Sequence, residues 1–79
     1  MTNLEKYDNA FMEDFGVEKE SLADLKYQDI PGWDSVGHMS LMASMEELFD
    51  IMLDTDDIID FSSYKKGKEI LSKYDVVID

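Results

Sequence analysis

The sequence contains no cysteine, and only seven of its 79 residues are basic. The absence of cysteine excludes disulfides, thiolate metal sites and a cysteine nucleophile, so any thiol chemistry would need a thiol from an added cofactor. Nineteen acidic residues outweigh the basic ones and give a net charge of −12. A chain of this sign is not expected to bind nucleic acid through its phosphates. We expect it to be attracted to basic surfaces of partner proteins instead.

Long apolar runs are missing as well. No stretch approaches the roughly 20 apolar residues that a membrane-spanning helix needs. The start, Met1-Thr2-Asn3-Leu4-Glu5, has no basic segment ahead of an apolar one, as a signal peptide would. We therefore expect a cytoplasmic protein with no membrane partner. Apolar residues still make up 44% of the chain, so residues 1–79 are predicted to fold as a single small domain and to be a monomer.

The helical segments predicted along the chain together indicate an all-α fold, a small bundle of three to four helices. Thr2 and Glu5 fit a capping box, so a first helix is predicted from Asn3 to about Phe15. Gly16 is suited to its C-terminal stop. A long connection over residues 17–33 follows, and its apolar side chains predict that it packs onto the bundle. Loops of this length in a small domain are often functional.

Three further helical segments are predicted after this loop. Asp34 fits the N-cap of a second helix that reaches about residue 50. One or two short helical turns are expected over residues 54–60. A serine at position 62 or 63 then caps a last helix that ends near Tyr74. Gly67 lies inside that helix, where glycine is unfavourable, and this predicts close packing against another helix.

The second helix divides into three faces when each residue advances by 100°. Its core face is predicted to carry Leu41, Met42, Met45, Leu48 and Phe49. Gly37, Ser40 and Ser44 fall on the opposite side and are expected to be solvated. A third face combines apolar and acidic side chains and points away from the core: Val36, Met39, Ala43, Glu46, Glu47 and Asp50. It is either a wide amphipathic face whose edge is partly covered by the long loop or a docking surface for a basic partner.

Ser35 lies in the first turn of this second helix. Backbone N–H groups without intrahelical partners and the positive end of the helix dipole are found there. A phosphate attached at this position would be stabilised. Serine is also an ordinary residue in a first turn, so its position alone does not indicate a function.

The segment Gly32-Trp33-Asp34-Ser35-Val36-Gly37-His38-Met39 resembles the acyl carrier protein family, whose attachment motif is Asp-Ser-Leu at the start of a helix after a long loop. The resemblance extends over the chain in size, acidity, helix order and the helix end Glu46-Glu47-Leu48-Phe49-Asp50. Val36 stands in place of the usual leucine, and Trp33 is bulkier than the residue often found before the aspartate. Related peptidyl carriers usually have glycine before the serine, so Asp34 favours an acyl carrier.

The resemblance implies that Ser35 carries a covalent 4′-phosphopantetheine, transferred from coenzyme A by a separate phosphopantetheinyl transferase. Asp34 would help to hold magnesium in that encounter. Acyl groups would be carried as thioesters to loading and transferring enzymes of fatty acid, polyketide or related biosynthesis. Partner recognition is predicted for Val36, Met39, Glu46, Glu47 and Asp50. The chain itself is expected to catalyse no reaction and to hold no resident metal ion.

Three alternatives compete with a carrier. A hydrolase could be built from Ser35 and His38, but no Gly-x-Ser-x-Gly segment surrounds the serine and no third residue is apparent to orient the histidine. A calcium-binding loop could begin at Asp54, but Ile59 stands at its glycine position and Lys65 at its glutamate position. An acidic helical adaptor that binds basic partners and is never modified would share the fold and the charge. Chemistry at Ser35 separates that adaptor from a carrier.

Overall fold

The first helix is fixed at both ends by its own residues. In a computed structural model, which describes residues 2–78, helix α1 spans Asn3–Phe15. The Thr2 hydroxyl accepts from the Glu5 N–H at 3.1 Å, and the Thr2 N–H donates to the Glu5 carboxylate at 3.0 Å. Gly16 adopts a left-handed conformation at φ 65°, and its N–H donates to the Met12 carbonyl. The predicted capping box and glycine stop are therefore confirmed.

All the regular secondary structure in residues 2–78 is helical. Helix α2 spans Ser35–Phe49, α3 spans Thr55–Asp60 and α4 spans Tyr64–Ser72, and a short 3₁₀ turn covers Lys19–Ser21. Helix α4 ends two residues earlier than predicted, and Ser63 rather than Ser62 caps it, accepting from the Lys66 N–H at 3.0 Å. The described part of the chain is the predicted small α-helical bundle. Met1 and Asp79, the ends of the predicted domain, lie outside the described residues.

The long connection between α1 and α2 packs onto the bundle. Leu22 and Leu25 are buried. The backbone of the loop pairs with the junction between α3 and α4: the Tyr27 N–H donates to the Ser62 carbonyl at 2.9 Å, and the Tyr64 N–H donates to the Leu25 carbonyl at 2.9 Å. These two bonds fix the second half of the loop, which leads directly into α2.

The core of the bundle is aromatic. Phe11 lies near its centre, and the centroids of five other rings lie 5.0 to 6.3 Å away: Tyr7, Phe15, Trp33, Phe61 and Tyr64. Gly67 of α4 is buried against this cluster, because a Cβ there would overlap the Tyr7 hydroxyl and the Phe61 ring. The predicted close packing at Gly67 is confirmed, and it explains why a residue unfavourable in helices stands there.

Three predicted positions on α2 differ from the structure. Ser44 was expected to be solvated, but it is half-buried and its hydroxyl donates to the Asp14 carboxylate of α1 at 2.9 Å. Leu48 was assigned to the core face, but 40% of its side chain is exposed, because it lies at the edge of the α1–α2 contact beside Ala10 and Glu13.

Gly37 was expected to be solvated. Its Cα instead faces the Gly32 carbonyl so closely that a Cβ would overlap that oxygen. The loop therefore covers the side of the first turn of α2 that a helical wheel leaves open.

The C-terminal segment returns to the start of the chain. Val76 is buried, and the Asn3 side-chain amide donates to the Val77 carbonyl at 3.1 Å. Ile78 is half-buried and packs against the core. The apolar tail, which sequence alone does not place, thus closes the bundle beside the first turn of α1.

Candidate functional site

Ser35 is exposed at the amino end of α2, and the residue pair before it fixes its position. Trp33 is fully buried and stacks on Phe15 with ring centroids 5.2 Å apart. The backbone of Trp33 is bonded twice within the loop, to the Ile30 carbonyl at 3.1 Å and to the Gln28 N–H at 3.0 Å. The large side chain of Trp33 therefore anchors the start of α2. A bulky residue at this position is a departure from the family that the segment resembles.

Asp34 is the N-cap of α2, as predicted. Its Oδ1 accepts from the Gly37 N–H at 2.8 Å, and its backbone carbonyl accepts the first intrahelical bond, from the His38 N–H at 2.8 Å. The N–H groups of Ser35 and Val36 come before that bond and so have no partner within the helix. Together with the helix dipole, they make the surroundings of the Ser35 hydroxyl favourable for a negatively charged group.

A second hydroxyl group lies beside Ser35. The phenolic oxygen of Tyr27, in the long loop, is 3.3 Å from Ser35 Oγ. The Tyr27 ring is half-buried and makes edge contacts with Trp33 and His38, with ring centroids 6.3 and 5.5 Å away. The contact between Tyr27 and Ser35 could not be predicted from the sequence, because it depends on the fold of a loop and not on a helical periodicity.

His38 is engaged at both ring nitrogens. Trp33 Nε1 donates to His38 Nδ1 at 3.0 Å, and His38 Nε2 lies 2.7 Å from the Ile58 carbonyl. Since the indole nitrogen only donates and a carbonyl only accepts, the ring is neutral with its proton on Nε2. These bonds leave neither nitrogen available as a base for Ser35, so the geometry does not favour the hydrolase. They also link the start of α2 to α3.

A groove between α2 and α3 opens next to Ser35. Its volume is about 380 Å³, and eight residues line it: Tyr27, Ser35, His38, Met39, Ile58, Ile59, Phe61 and Ser62. Most of the lining is aliphatic or aromatic, with hydroxyl groups at Tyr27, Ser35 and Ser62. A flexible group attached to Ser35 would therefore have this apolar groove directly beside its point of attachment.

The mixed face of α2 points away from the core, as the wheel predicted. Val36 is 76% exposed and Met39 is 55% exposed; Ala43, Glu47 and Asp50 are also exposed. The long loop leaves Val36 and Met39 largely open, which favours the interpretation as an exposed surface over that of an edge partly covered by the loop. Ile59 of α3, which is 72% exposed, shares the groove with Met39 and extends the apolar surface. Ile59 could not be identified from the sequence, because α3 is too short to show a helical periodicity of apolar residues.

Glu46 differs from the other acidic residues of this face. It is half-buried, and its Oε2 accepts from the Leu53 N–H at 2.9 Å. This bond fixes the turn that follows α2, so Glu46 has a structural task in the fold. Glu47 and Asp50 supply the exposed negative charge.

Asp57, an acidic residue of α3, is engaged in contacts within the fold. Its carboxylate accepts hydrogen bonds from the Lys73 ammonium and the Tyr74 hydroxyl. Hydrogen bonds from these two groups hold the pKa of Asp57 below its ordinary value. Among residues 2–78, no group of three or more histidine, aspartate or glutamate side chains is arranged to hold a metal ion. The rejected calcium loop therefore gains no support.

Within the described residues, no helix has both the length and the apolar character needed to cross a membrane. Comparison of the chain with family models, curated proteins and solved structures finds no match.

Proposed function

We propose that this chain is a cytoplasmic acyl carrier protein that bears 4′-phosphopantetheine on Ser35 and presents thioester-bound acyl groups to partner enzymes. The observation that carries the proposal is the position of the Ser35 hydroxyl. It is exposed at the amino end of α2, directly after the Asp34 cap and beside an apolar groove. The resemblance of the surrounding segment to acyl carrier proteins indicates Ser35 as the residue of attachment.

The residues around Ser35 fit the phosphate of such an arm. The N–H groups of Ser35 and Val36, which have no partner within the helix, and the helix dipole stabilise negative charge at Oγ. The Asp34 carboxylate is exposed and uses Oδ1 for the cap. It would assist in holding magnesium while the transferase is bound, since carboxylates and phosphates share that ion readily. When attached, the arm supplies the thiol that the sequence lacks.

The chain's own part in the transfer is limited to presentation. Ser35 supplies the oxygen nucleophile, the transferase supplies the base, and coenzyme A is the co-substrate that donates the phosphopantetheine. His38 takes no part, because its nitrogens are bonded to Trp33 and Ile58. In later steps, a covalent arm raises the effective concentration of the cargo at each partner's active site.

Partner enzymes would dock on the exposed face of α2. Val36 and Met39 provide an apolar anchor within reach of Ser35, and Glu47 and Asp50 provide charge that attracts a basic surface. Glu46 contributes less, because its carboxylate is bonded to the Leu53 N–H. A carrier must leave each enzyme after docking, so we expect the interface on this face to be small and the docking to be weak and transient.

The test is the intact mass of the folded protein after incubation with coenzyme A, magnesium and a broad-range phosphopantetheinyl transferase. Ser35→Ala removes the attachment oxygen, and Ser40→Ala is the matched control on an exposed position of the same helix. We expect one phosphopantetheine on the parent and on Ser40→Ala, and none on Ser35→Ala.

The opposite result would favour the unmodified adaptor. If several transferases leave the folded parent unchanged while they modify a known carrier in the same reaction, Ser35 is not an attachment site. The exposed acidic face of α2 would then be the functional surface by itself.

A further inference from the structure

We infer that the Tyr27 hydroxyl positions Ser35 Oγ for phosphopantetheine transfer and then donates a hydrogen bond to the phosphodiester formed there. This inference rests on the proposed function and adds a residue to its site. The observation behind it is the 3.3 Å distance between the two hydroxyl oxygens.

The surroundings of Tyr27 hold its hydroxyl in one place. Its backbone N–H is bonded to the Ser62 carbonyl at 2.9 Å. Its ring packs edge-on against Trp33 and His38, and these two rings are themselves joined by a hydrogen bond. The ring therefore cannot swing away from Ser35 without disturbing the base of α2. A side chain restrained in this way provides the preorganised contact that transfer reactions exploit.

The direction of the hydrogen bond changes with the chemistry. In the unmodified protein, either hydroxyl can donate. During transfer, Ser35 Oγ forms a bond to the phosphorus that carries the pantetheine. The bond from that phosphorus to the adenosine bisphosphate of coenzyme A breaks, and the bisphosphate leaves with the electron pair. The serine proton passes to a base of the transferase.

After transfer, only Tyr27 has a hydrogen left to donate. The Ser35 oxygen is then a phosphoester oxygen beside two non-bridging phosphate oxygens that share one negative charge. A donor to such a group makes a charge-assisted bond, shorter and stronger than a bond between neutral hydroxyls. The contact is thus expected to tighten on modification. Because Tyr27 also lines the groove between α2 and α3, this bond would hold the first atoms of the arm at the mouth of that groove.

Tyr27→Phe tests the inference because it removes the hydroxyl and keeps the ring that packs on Trp33 and His38. Tyr74→Phe is the matched control: it also removes a tyrosine hydroxyl, but one bonded to Asp57 and Asp54. For each folded variant, kcat and KM of transferase loading are measured, and the phosphorus-31 chemical shift of the loaded phosphodiester is recorded.

We expect Tyr27→Phe to lower kcat/KM about threefold to tenfold, the effect of losing one hydrogen bond at a partly exposed site, and to shift the phosphorus resonance. Tyr74→Phe should change neither. Parent-like kcat/KM in Tyr27→Phe would overturn the inference, and so would an unmoved phosphorus resonance, because Tyr27 would then serve packing alone. If the parent itself takes up no phosphopantetheine, it is the proposed function that fails.

Discussion

Gly37 provides a sharp test of how the loop supports the start of α2. In an ordinary exposed helix, replacing glycine by alanine stabilises the protein by about 1 kcal/mol. Here a Cβ at position 37 would overlap the Gly32 carbonyl oxygen and would come within 3.3 Å of the Phe15 ring. The two effects have opposite signs, and the outcome depends on whether the loop can move.

The loop around Gly32 has little freedom to move. Trp33, the next residue, is fully buried, stacked on Phe15 and bonded through its backbone to Ile30 and Gln28. Forcing a methyl group into packed surroundings costs about 1 to 3 kcal/mol, and displacing the first turn of α2 puts at risk the Asp34 cap, which is worth about 1 kcal/mol. After subtraction of the gain in helix propensity, we expect Gly37→Ala to destabilise the fold by about 2 kcal/mol.

Urea unfolding and thermal unfolding, both followed by far-ultraviolet circular dichroism, measure this loss. For a domain of this size, a loss of about 2 kcal/mol lowers Tm by about 8 to 16 °C. Ser40→Ala, on an exposed position of the same helix, is the control and should leave stability unchanged or slightly raised. A Gly37→Ala protein as stable as the parent would refute the close contact between the loop and α2.

Three further predictions concern the Asp34 cap, the Asp57 carboxylate and the net charge. Asp34→Ala should lower the free energy of unfolding by about 1 kcal/mol, because it removes the cap of α2. Asp34→Ser should keep the cap but load phosphopantetheine more slowly than the parent. Loading of Asp34→Ser at the rate of the parent would remove Asp34 from the proposed site. Because hydrogen bonds lower the pKa of Asp57, its stabilising effect should be complete above the ordinary aspartate pKa of about 4 and lost as the pH falls through the lower folded-state value. The difference in unfolding free energy between the parent and Asp57→Asn should therefore shrink below about pH 4, and a constant difference would contradict the role of Lys73 and Tyr74. Since the net charge is −12, added salt or magnesium should raise Tm by screening self-repulsion, and an unchanged Tm would contradict that.

The helix starts could be predicted from the sequence because their signals are local. Thr2, Asp34 and Ser63 each cap the helix that follows them through contacts within three residues. Such contacts depend on the short-range geometry of the backbone and so can be read without knowledge of the fold. Gly67 could also be interpreted, because an unfavourable residue in a helix implies a packing reason.

The contacts around Ser35 depend on the path of the long loop, and sequence patterns do not report that path. Tyr27 lies beside Ser35 in a loop whose backbone is bonded to Ser62, a residue far along the chain. The solvated side predicted for Gly37 was wrong for the same reason, since the wheel of one helix does not include the loop residue Gly32 that covers it. Leu48 was misplaced because apolar character alone does not distinguish a core position from the edge of a helix contact.

Attachment of phosphopantetheine at Ser35 is tested by loading the parent with a phosphopantetheinyl transferase. Fragmentation mass spectrometry then locates the added group on the chain. We expect a single phosphopantetheine on Ser35 and an unmodified Ser35→Ala protein. A folded parent that stays unmodified, or that carries the group on another residue, would contradict the assignment of Ser35 as the attachment site of a carrier.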